Sequence, residues 1–327
     1  MIVISKEEIY EKLTMSRCIT LMEEAFRGLE EGVNTQSVRT GMGVGKGALA
    51  FMPCSLGARG RFGAKVISVY PGNSAGGYPS HQGQVLLFDE EHGEPAAIAD
   101  ACAITEIRTA AASGAATKLL ARPDSRRLAI LGSGAQAVTH LEAMCRVRDI
   151  KSVTVWSPTP AHRERFREDM QKKYPDLPIT TCDTVPEAVR EADIICSVCR
   201  SREPFLTGAM VKPGTHINAV GTCSPVSREV SSDLVARARL YVDQEEACKA
   251  ESGEYLIPLA EGLITEDHIV GAIGAVLCGK APGRQDPEEI TLFDSLGLAV
   301  EDVICADELY RQLRNSKVSD VKSRSSH

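Results

Sequence analysis

The 327-residue sequence lacks the features that mark nucleic-acid-binding, membrane and secreted proteins. Its formal net charge is -7, so Lys and Arg are not in the excess that phosphate binding needs. No apolar run approaches the ~20 residues of a membrane span. The stretch Met1–Glu8 has neither the basic start nor the apolar core of a signal peptide. We therefore expect a cytoplasmic protein that binds neither nucleic acid nor a membrane.

The sequence also lacks the cysteine patterns of a disulfide framework or a zinc site. Its 11 cysteines are scattered, and a chain of this length does not need cross-links to fold. Cys196 and Cys199 have a C-x-x-C-like spacing, but no second pair or nearby His completes a ligand set. We expect free thiols and no bound metal.

The patterns that are present predict two domains of different architecture. Residues 1–118 combine an amphipathic helix with strand-like runs bounded by Gly and Pro, which is typical of an α+β domain. Residues 119–301 alternate strands and helices, which indicates a parallel sheet. A last predicted helix allows residues 302–327 to return to the first domain. The predicted fold class is α/β, with a Rossmann-type doubly wound parallel sheet beside the α+β domain.

The strongest motif is a glycine-rich turn that follows the strand predicted over Leu128–Leu131. Its G-x-G-x-x-A pattern opens a helix within a βαβ unit, which is the context of a dinucleotide site and argues against a plain turn that happens to hold glycines. Gly132 permits the tight turn, Gly134 lets the backbone approach a pyrophosphate, and Ala137 lets the helix pack closely on the sheet. The predicted cofactor contacts here are Gly132, Ser133, Gly134, Ala135 and Gln136.

The end of the second predicted strand indicates which dinucleotide binds. NAD-specific sites carry an acidic residue about 20 residues after the glycines, but the segment Trp156–Arg163 has no carboxylate. Ser157 and Thr159 offer hydrogen bonds to a 2′-phosphate, and Arg163 offers a charge partner. The alternative for Arg163 is a solvated helix face. We therefore favour NADP(H), with NAD(H) possible.

Several segments, in order along the chain, resemble the ornithine cyclodeaminase/μ-crystallin family, and most closely its μ-crystallin (ketimine reductase) branch. The resemblance implies an enzyme that reduces a cyclic or linear α-imino acid to an L-amino acid with NAD(P)H. It also implies a homodimer formed through the first domain, so that residues 1–118 and 302–327 bind substrate and dimerise while residues 119–301 bind the dinucleotide. The segments are Pro79–Gly83, Val85–Asp89, Ile107–Ala111, the glycine turn, Lys212–Gly214, Ile217–Gly221, and Phe293–Gly297 ahead of Glu301-Asp302.

The resemblance implies that three basic residues, Arg39, Lys65 and Arg108, hold the substrate carboxylate. A guanidinium fork and a second cation fix both the charge and the orientation of such a group. Read singly, each is more often a surface cation, since Lys and Arg are mostly exposed. However, Lys65 lies inside a strand-like run and Arg108 interrupts an Ala-rich helix, where a lone charge is expensive.

The resemblance also assigns residues to catalysis and to the walls of the site. Glu251 matches the family's acidic position and would keep the imine nitrogen protonated, beside Lys65 and Arg108 as the other catalytic residues. The alternative for Glu251 is a helix-start carboxylate. His81 lines the substrate pocket or is a structural histidine. The remaining implied cofactor contacts are Val220, Gly221 and Ser295.

One position departs from the cyclodeaminases of the family. They carry a catalytic aspartate where this chain has Cys223, and an ordinary thiol is mostly protonated at neutral pH whereas a carboxyl is ionised. We therefore expect reduction of an imine, with Cys223 lining the substrate pocket. The alternatives are an ornithine or lysine cyclodeaminase with tightly held NAD, an NADPH-binding crystallin-like protein without turnover, and an alanine-dehydrogenase-like reaction.

Overall fold

A computed structural model describes residues 1–324 of the chain, and the side chains of residues 1–73 and 76–315. The chain forms two compact units, one from residues 1–108 together with the described residues from 298 onward, the other from residues 109–297. The predicted boundaries lay later, at 118/119 and at 301/302. The first difference arises because the helix over Ala101–Leu120 is continuous across the division, whereas the sequence marks only its end. Residues 325–327 of the predicted terminal segment lie outside the described residues.

Strands and helices are numbered in chain order. The strands are β1 (Ile2–Ile4), β2 (Asn34–Gln36), β3 (Thr40–Val44), β4 (Gly47–Leu56), β5 (Arg61–Val69), β6 (His81–Asp89), β7 (Pro95–Asp100), β8 (Arg127–Leu131), β9 (Ser152–Trp156), β10 (Ile179–Thr181), β11 (Ile194–Ser197), β12 (His216–Ala219), β13 (Arg239–Val242), β14 (Ile269–Ala272) and β15 (Thr291–Asp294). The α-helices are α1 (Lys6–Lys12), α2 (Met15–Glu30), α3 (Ala101–Leu120), α4 (Ala135–Val147), α5 (Pro160–Lys173), α6 (Val185–Val189), α7 (Ser232–Arg237), α8 (Glu245–Glu251), α9 (Gly253–Ala260), α10 (Ile273–Leu277) and α11 (Ala299–Arg324).

The first unit is an α+β structure built on a mainly antiparallel sheet. Its strand order is β1-β7-β6-β5-β4-β2, with β3 paired to the other part of β4, and only β1 and β7 run parallel. Helix α11 packs on this sheet and on α2. Gly63 on β5 allows that close approach, because a Cβ there would lie 3.1 Å from Val303 Cγ1. The first turn of α11 is thereby held against β5.

The second unit contains a parallel sheet of eight strands in the order β10-β9-β8-β11-β12-β15-β13-β14. Every neighbouring pair in it is parallel. The strand order reverses between β8 and β11, and ligands of such sheets bind beyond the carboxyl ends of the strands at this switch point. The strands there, β8 and β11, are short apolar runs that are almost wholly buried. The predicted Rossmann-type α/β fold is confirmed.

Three observations bear on the disulfide, membrane-span and metal-site expectations given above. None of the 11 cysteines, all of which lie in the described part of the chain, forms a disulfide bond. Among the described residues, no helix is both long enough and apolar enough to cross a membrane. Within that same part of the chain, no three His, Cys, Asp or Glu side chains are grouped so that they could hold a metal ion.

Candidate functional site

The first unit contains a buried cluster of four charged residues: Lys65 on β5, Arg108 on α3, and Glu301 and Asp302 in the first turn of α11. Asp302 accepts a hydrogen bond of 2.9 Å from Lys65 Nζ and one of 3.1 Å from Arg108 Nε. Glu301 accepts one of 2.6 Å from Arg108 Nη1. None of the four is more than 4% exposed. We call them the ion cluster. Two of the three predicted cations, Lys65 and Arg108, are therefore buried, and each is paired, as burial requires.

The electrostatics of the ion cluster keep Arg108 and Asp302 charged. Burial opposes the charge of Arg108, but Asp302 and Glu301 outweigh it and raise the Arg108 pKa. Burial likewise opposes the charge of Asp302, but Arg108 and Lys65 lower its pKa below the ordinary value. For Lys65, burial is the largest effect and lowers the pKa despite Asp302, and the positive charges of Arg108 and Arg39 lower it further.

Donor groups remain in the ion cluster for a ligand. Lys65 Nζ donates to Asp302 and to Thr105 Oγ1, at 2.9 and 3.2 Å, which uses two of its three donors. Arg108 uses Nε and Nη1, and its Nη2 group makes no hydrogen bond to any of the described residues. An ammonium donor and a guanidinium donor in one buried place are suited to a carboxylate.

The other predicted residues of the first unit are less buried. Arg39 is half-buried immediately before β3, close enough to Lys65 to affect its pKa. His81 is the exposed first residue of β6, and its Nδ1 lies 2.9 Å from Ser80 Oγ. Sequence reasoning gave no role to Glu301 and Asp302, although both belong to the segments that carry the family resemblance.

In the second unit, the glycine turn has the shape that a dinucleotide requires. Gly132 has a φ of +134°, and a Cβ there would lie 2.9 Å from Val198 Cγ2 and 3.0 Å from the Val198 carbonyl oxygen. Gly134 is the N-cap of α4, with no side-chain cap and with open space where its Cβ would point. A helix N-terminus with open space before it is suited to a pyrophosphate.

The hydrogen bonds of the parallel sheet continue past the carboxyl ends of four neighbouring strands, β8, β11, β12 and β15. Val198 N donates to the Leu131 carbonyl, Val220 N to that of Ser197, and Ser295 N to that of Ala219, each at 2.9 Å. We call the Gly132 turn together with residues 198–199, 220–221 and 295 the carboxyl edge. It spans roughly 14 Å at ~4.8 Å per strand. The Ser295 hydroxyl is buried in it without a hydrogen-bond partner among the described residues, which leaves it for a polar ligand.

The predicted 2′-phosphate contacts lie beside the glycine turn, but Arg163 already forms an ion pair with Asp183. Ser133 Oγ donates to Ser157 Oγ at 3.0 Å, and Ser157 Oγ donates to the Thr159 carbonyl at 3.3 Å. Arg163 is 7% exposed; its Nη1 donates to the Ser157 carbonyl at 3.2 Å, and its Nη2 pairs with Asp183. The alternative of a solvated helix face for Arg163 is therefore wrong. Its contacts hold the backbone of the turn that carries Ser157.

Two predicted residues of the substrate site lie in the second unit. Cys223 is exposed in the loop after β12. Glu251 is half-buried and is the last residue of α8. Glu251 also directly precedes Ser252, the N-cap of α9, so both the catalytic role and the alternative of a helix-start carboxylate stay predictions.

Sequence reasoning missed a pair of buried glutamates behind the carboxyl edge. Glu229 is 0% and Glu254 1% exposed. Glu254 accepts hydrogen bonds from Glu229 N at 2.7 Å and from Thr222 Oγ1 at 3.1 Å. Burial, together with the charge of Glu254, raises the pKa of Glu229 to about 8. No signal in the sequence separates these two from exposed glutamates, because their burial depends on loops that meet only in the fold.

The chain resembles proteins of one family over almost its whole length. The profile of the ornithine cyclodeaminase/mu-crystallin family matches residues 1–317. The ketimine reductase mu-crystallin of Mus musculus is 38% identical over 320 residues, which is 96% of this chain and 98% of that protein. The structure of Thermococcus litoralis Δ1-pyrroline-2-carboxylate reductase with NADH and L-proline superposes with a TM-score of 0.94 at 37% identity, covering 97% of this chain and 98% of that one. An archaeal alanine dehydrogenase dimer with bound NAD superposes with a TM-score of 0.92 at 32% identity, covering 97% of each chain.

Proposed function

The chain belongs to the ornithine cyclodeaminase/mu-crystallin family, and we propose that it is an NAD(P)H-dependent reductase of imino acids. Its substrate is a cyclic or linear α-imino acid of the ketimine or pyrroline-2-carboxylate type, and its product is the L-amino acid. The observation that carries this proposal is the buried pair Lys65 and Arg108, which keeps donors for a carboxylate in a chain that also has a dinucleotide turn. Relatives that are named as reductases of such imines support it.

The charges of the ion cluster explain why a third cation is needed. Two cations and two carboxylates sum to zero, so a substrate carboxylate bound there would bring an uncompensated buried charge. Arg39 acts electrostatically on Lys65 and adds positive potential near this cluster. In this proposal Lys65 and Arg108 orient the carboxylate, and Arg39 makes its entry electrically favourable.

Bound NAD(P)H supplies the hydride chemistry, and the protein's part is to orient the acceptor and hold a proton. The imine carbon is most electrophilic when its nitrogen is protonated. We assign that proton to Glu251, on the basis of the family position that it matches. The turn at Gly132 and Gly134 and the hydroxyl of Ser295 hold the dinucleotide on the second unit.

We favour NADPH over NADH as the dinucleotide. The residue that follows β9 is Ser157, whose hydroxyl is hydrogen-bonded to that of Ser133. NAD-specific sites carry an acidic residue at this position, and this chain does not. Arg163 contributes by positioning this turn, since its guanidinium is bonded to Asp183 and to the Ser157 carbonyl. The neighbour from T. litoralis was solved with NADH, so both dinucleotides belong in every assay.

A substrate panel run with both dinucleotides tests the proposed function. We expect pyrroline-2-carboxylate or piperideine-2-carboxylate to cause loss of absorbance at 340 nm, at a higher kcat/KM with NADPH than with NADH. Pyruvate with ammonia serves as the linear comparison. The absence of turnover across the panel would refute the reductase. Ammonia release from ornithine without net change in the dinucleotide would establish a cyclodeaminase instead.

We also propose that the chain forms a homodimer through the first unit. Met42 and Leu49 are direct cross-strand partners on β3 and β4, and Val44 and Phe51 lie on the same face. These four side chains are 63%, 38%, 39% and 46% exposed in the single chain. Such a contiguous apolar face is typical of an interface, and the archaeal relative is a dimer.

Substituting Leu49→Arg is expected to convert the dimer into a monomer, because the variant would bury a charge in the apolar face. Light scattering coupled to size exclusion measures the mass directly. The matched control is Val226→Arg, a substitution of an apolar residue that is 73% exposed in the second unit, and it should leave the mass unchanged. A wild-type protein that elutes as a monomer at micromolar concentration would contradict the dimer.

A further inference from the structure

The carboxylate of Glu229 joins two loops of the carboxyl edge. One oxygen accepts a hydrogen bond of 2.7 Å from Cys199 N, after β11, and the other accepts one of 2.7 Å from Gly221 N, after β12. Its own backbone is fixed as well, since the Glu229 carbonyl accepts from Phe205 N and Leu206 N at 3.0 and 3.1 Å. A fixed carboxylate thus sets the spacing between the backbones that follow two neighbouring strands.

The fit around Glu229 leaves no room for a side chain at position 221. A Cβ on Gly221 would lie 2.4 Å from Glu229 Oε1 and 2.5 Å from the Cys199 carbonyl oxygen. The loop after β11 also supports the glycine turn, because Val198 fills the space beside Gly132. Glu229 is therefore linked through Cys199 and Val198 to the turn that holds the pyrophosphate in the proposed function.

Glu254 supports Glu229 from helix α9. It accepts the backbone N–H of Glu229 and the hydroxyl of Thr222. Gly253 brings α9 close to the same loop, since a Cβ there would lie 2.1 Å from the Ser227 carbonyl oxygen. The two glutamates together fix the loop over residues 220–229 at both of its ends.

Neither glutamate forms an ion pair within the part of the chain that the structure describes, although both are almost wholly buried. Burying a carboxylate without a cation is costly, and a second one nearby adds repulsion. This energetic cost is acceptable only if both oxygens of Glu229 are needed to accept hydrogen bonds from Cys199 N and Gly221 N. A side-chain amide in place of Glu229 would accept one backbone N–H but turn its own N–H₂ toward the other.

We propose that Glu229 is a positioning residue for the dinucleotide, holding the backbones at Cys199 and Gly221 in the spacing that cofactor binding requires. This inference rests on the proposed function for the identity of the ligand. It adds a residue that touches neither cofactor nor substrate and acts through the two loops that it joins. The arrangement makes cofactor affinity depend on a group behind the site.

The substitution Glu229→Gln separates this role from a merely structural one. Above the pKa of Glu229, about 8, it keeps the shape, removes a buried charge and releases one of the two loops. The affinity of both proteins is therefore compared above that pH. We expect the Kd for NADPH, measured by fluorescence titration, to rise about tenfold or more, the loss of about one charge-assisted hydrogen bond. The melting temperature without ligand should stay the same or increase. A Kd within twofold of wild type, or a Kd and a melting temperature that worsen together, would overturn the inference.

The matched control is Asp193, which directly precedes β11 and so lies at the opposite end of that strand from Cys199. Asp193 is also buried and also accepts two backbone N–H groups, from Arg126 and Arg127, at 3.0 Å each. It pairs with Arg122, Arg127 and Lys212 as well. Asp193→Asn should therefore lower the melting temperature and leave the Kd for NADPH unchanged. A similar loss of affinity in both variants would show a general loss of structure and refute the specific role.

A pH profile gives a second readout. The titratable groups that face Glu229 are Glu254 from α9 and the Cys199 thiol after β11. The ionised carboxylate accepts both backbone amides fully, so affinity for NADPH should rise as pH passes through the pKa of Glu229, about 8. Glu254→Gln removes the neighbouring charge and should move this midpoint to lower pH. An unmoved midpoint would count against the inference, whereas a wild type that binds neither dinucleotide would refute the proposed function itself.

Discussion

Replacing Arg108 with Ala is expected to raise the KM for the imino acid about a hundredfold or more while leaving the Kd for NADPH unchanged. The variant removes the guanidinium that orients the substrate carboxylate, and losing a buried charge-assisted contact of this kind costs about 2–5 kcal/mol. The proposed dinucleotide contacts belong to the other unit, so we expect them to be unaffected. Steady-state kinetics measure the KM for the imino acid, and a fluorescence titration measures the Kd for NADPH.

The same variant should also lose stability, because Arg108 neutralises Glu301 and Asp302 in addition to its proposed role in substrate binding. Removing one partner of a buried ion pair typically costs about 3–5 kcal/mol. The double variant Arg108→Ala, Glu301→Gln removes the stranded charge, so it should recover part of the melting temperature and none of the substrate affinity. Glu301→Gln alone is the matched control and should keep a nearly normal KM, since Asp302 still holds Arg108. Recovery of substrate affinity in the double variant would refute a carboxylate-binding role for Arg108.

Replacing Gly134 with Asp is expected to abolish dinucleotide binding while making the second unit more stable. Gly134 is the N-cap of α4, with a φ of -88° that any residue adopts, and nothing lies within 4 Å of the position of a Cβ. Asp is a favourable N-cap and its charge suits a helix N-terminus, which is worth about 1 kcal/mol. The same carboxylate would occupy the place of the pyrophosphate and repel it. We expect the Kd for NADPH to rise at least about a hundredfold.

An intermediate variant distinguishes charge from volume at this position. Gly134→Ser is also a good N-cap but is neutral, so it should weaken NADPH binding less than Gly134→Asp does. The melting temperature should rise in both. If Gly134→Asp still bound NADPH with a normal Kd, the dinucleotide would have to bind away from this turn.

The parts of the site that the sequence predicts are those with local signals. The turn from Gly132 is recognisable because its glycines, its strand and its helix are contiguous, and the alternation of strands and helices around it predicts the parallel sheet. Lys65 and Arg108 are flagged by charges inside apolar or Ala-rich runs. In each case the flanking residues carry the information.

The parts that the sequence does not predict depend on partners far along the chain. Glu229 bonds to Cys199, 30 residues earlier, and Asp302 bonds to Lys65, 237 residues earlier. Before the loops are placed, nothing distinguishes such a carboxylate from an exposed one. Arg163 shows the same limit, because its pairing with Asp183 depends on how α5 packs beside the end of β10.

The ion cluster also has a consequence for the order in which the chain matures during synthesis. Lys65 leaves the ribosome 237 residues before Asp302, and Arg108 leaves it 194 residues before Asp302. The nascent first unit therefore carries two cations that it cannot bury, whereas the second unit is complete in sequence by residue 297. We therefore expect the first unit to finish folding only after α11 has been translated.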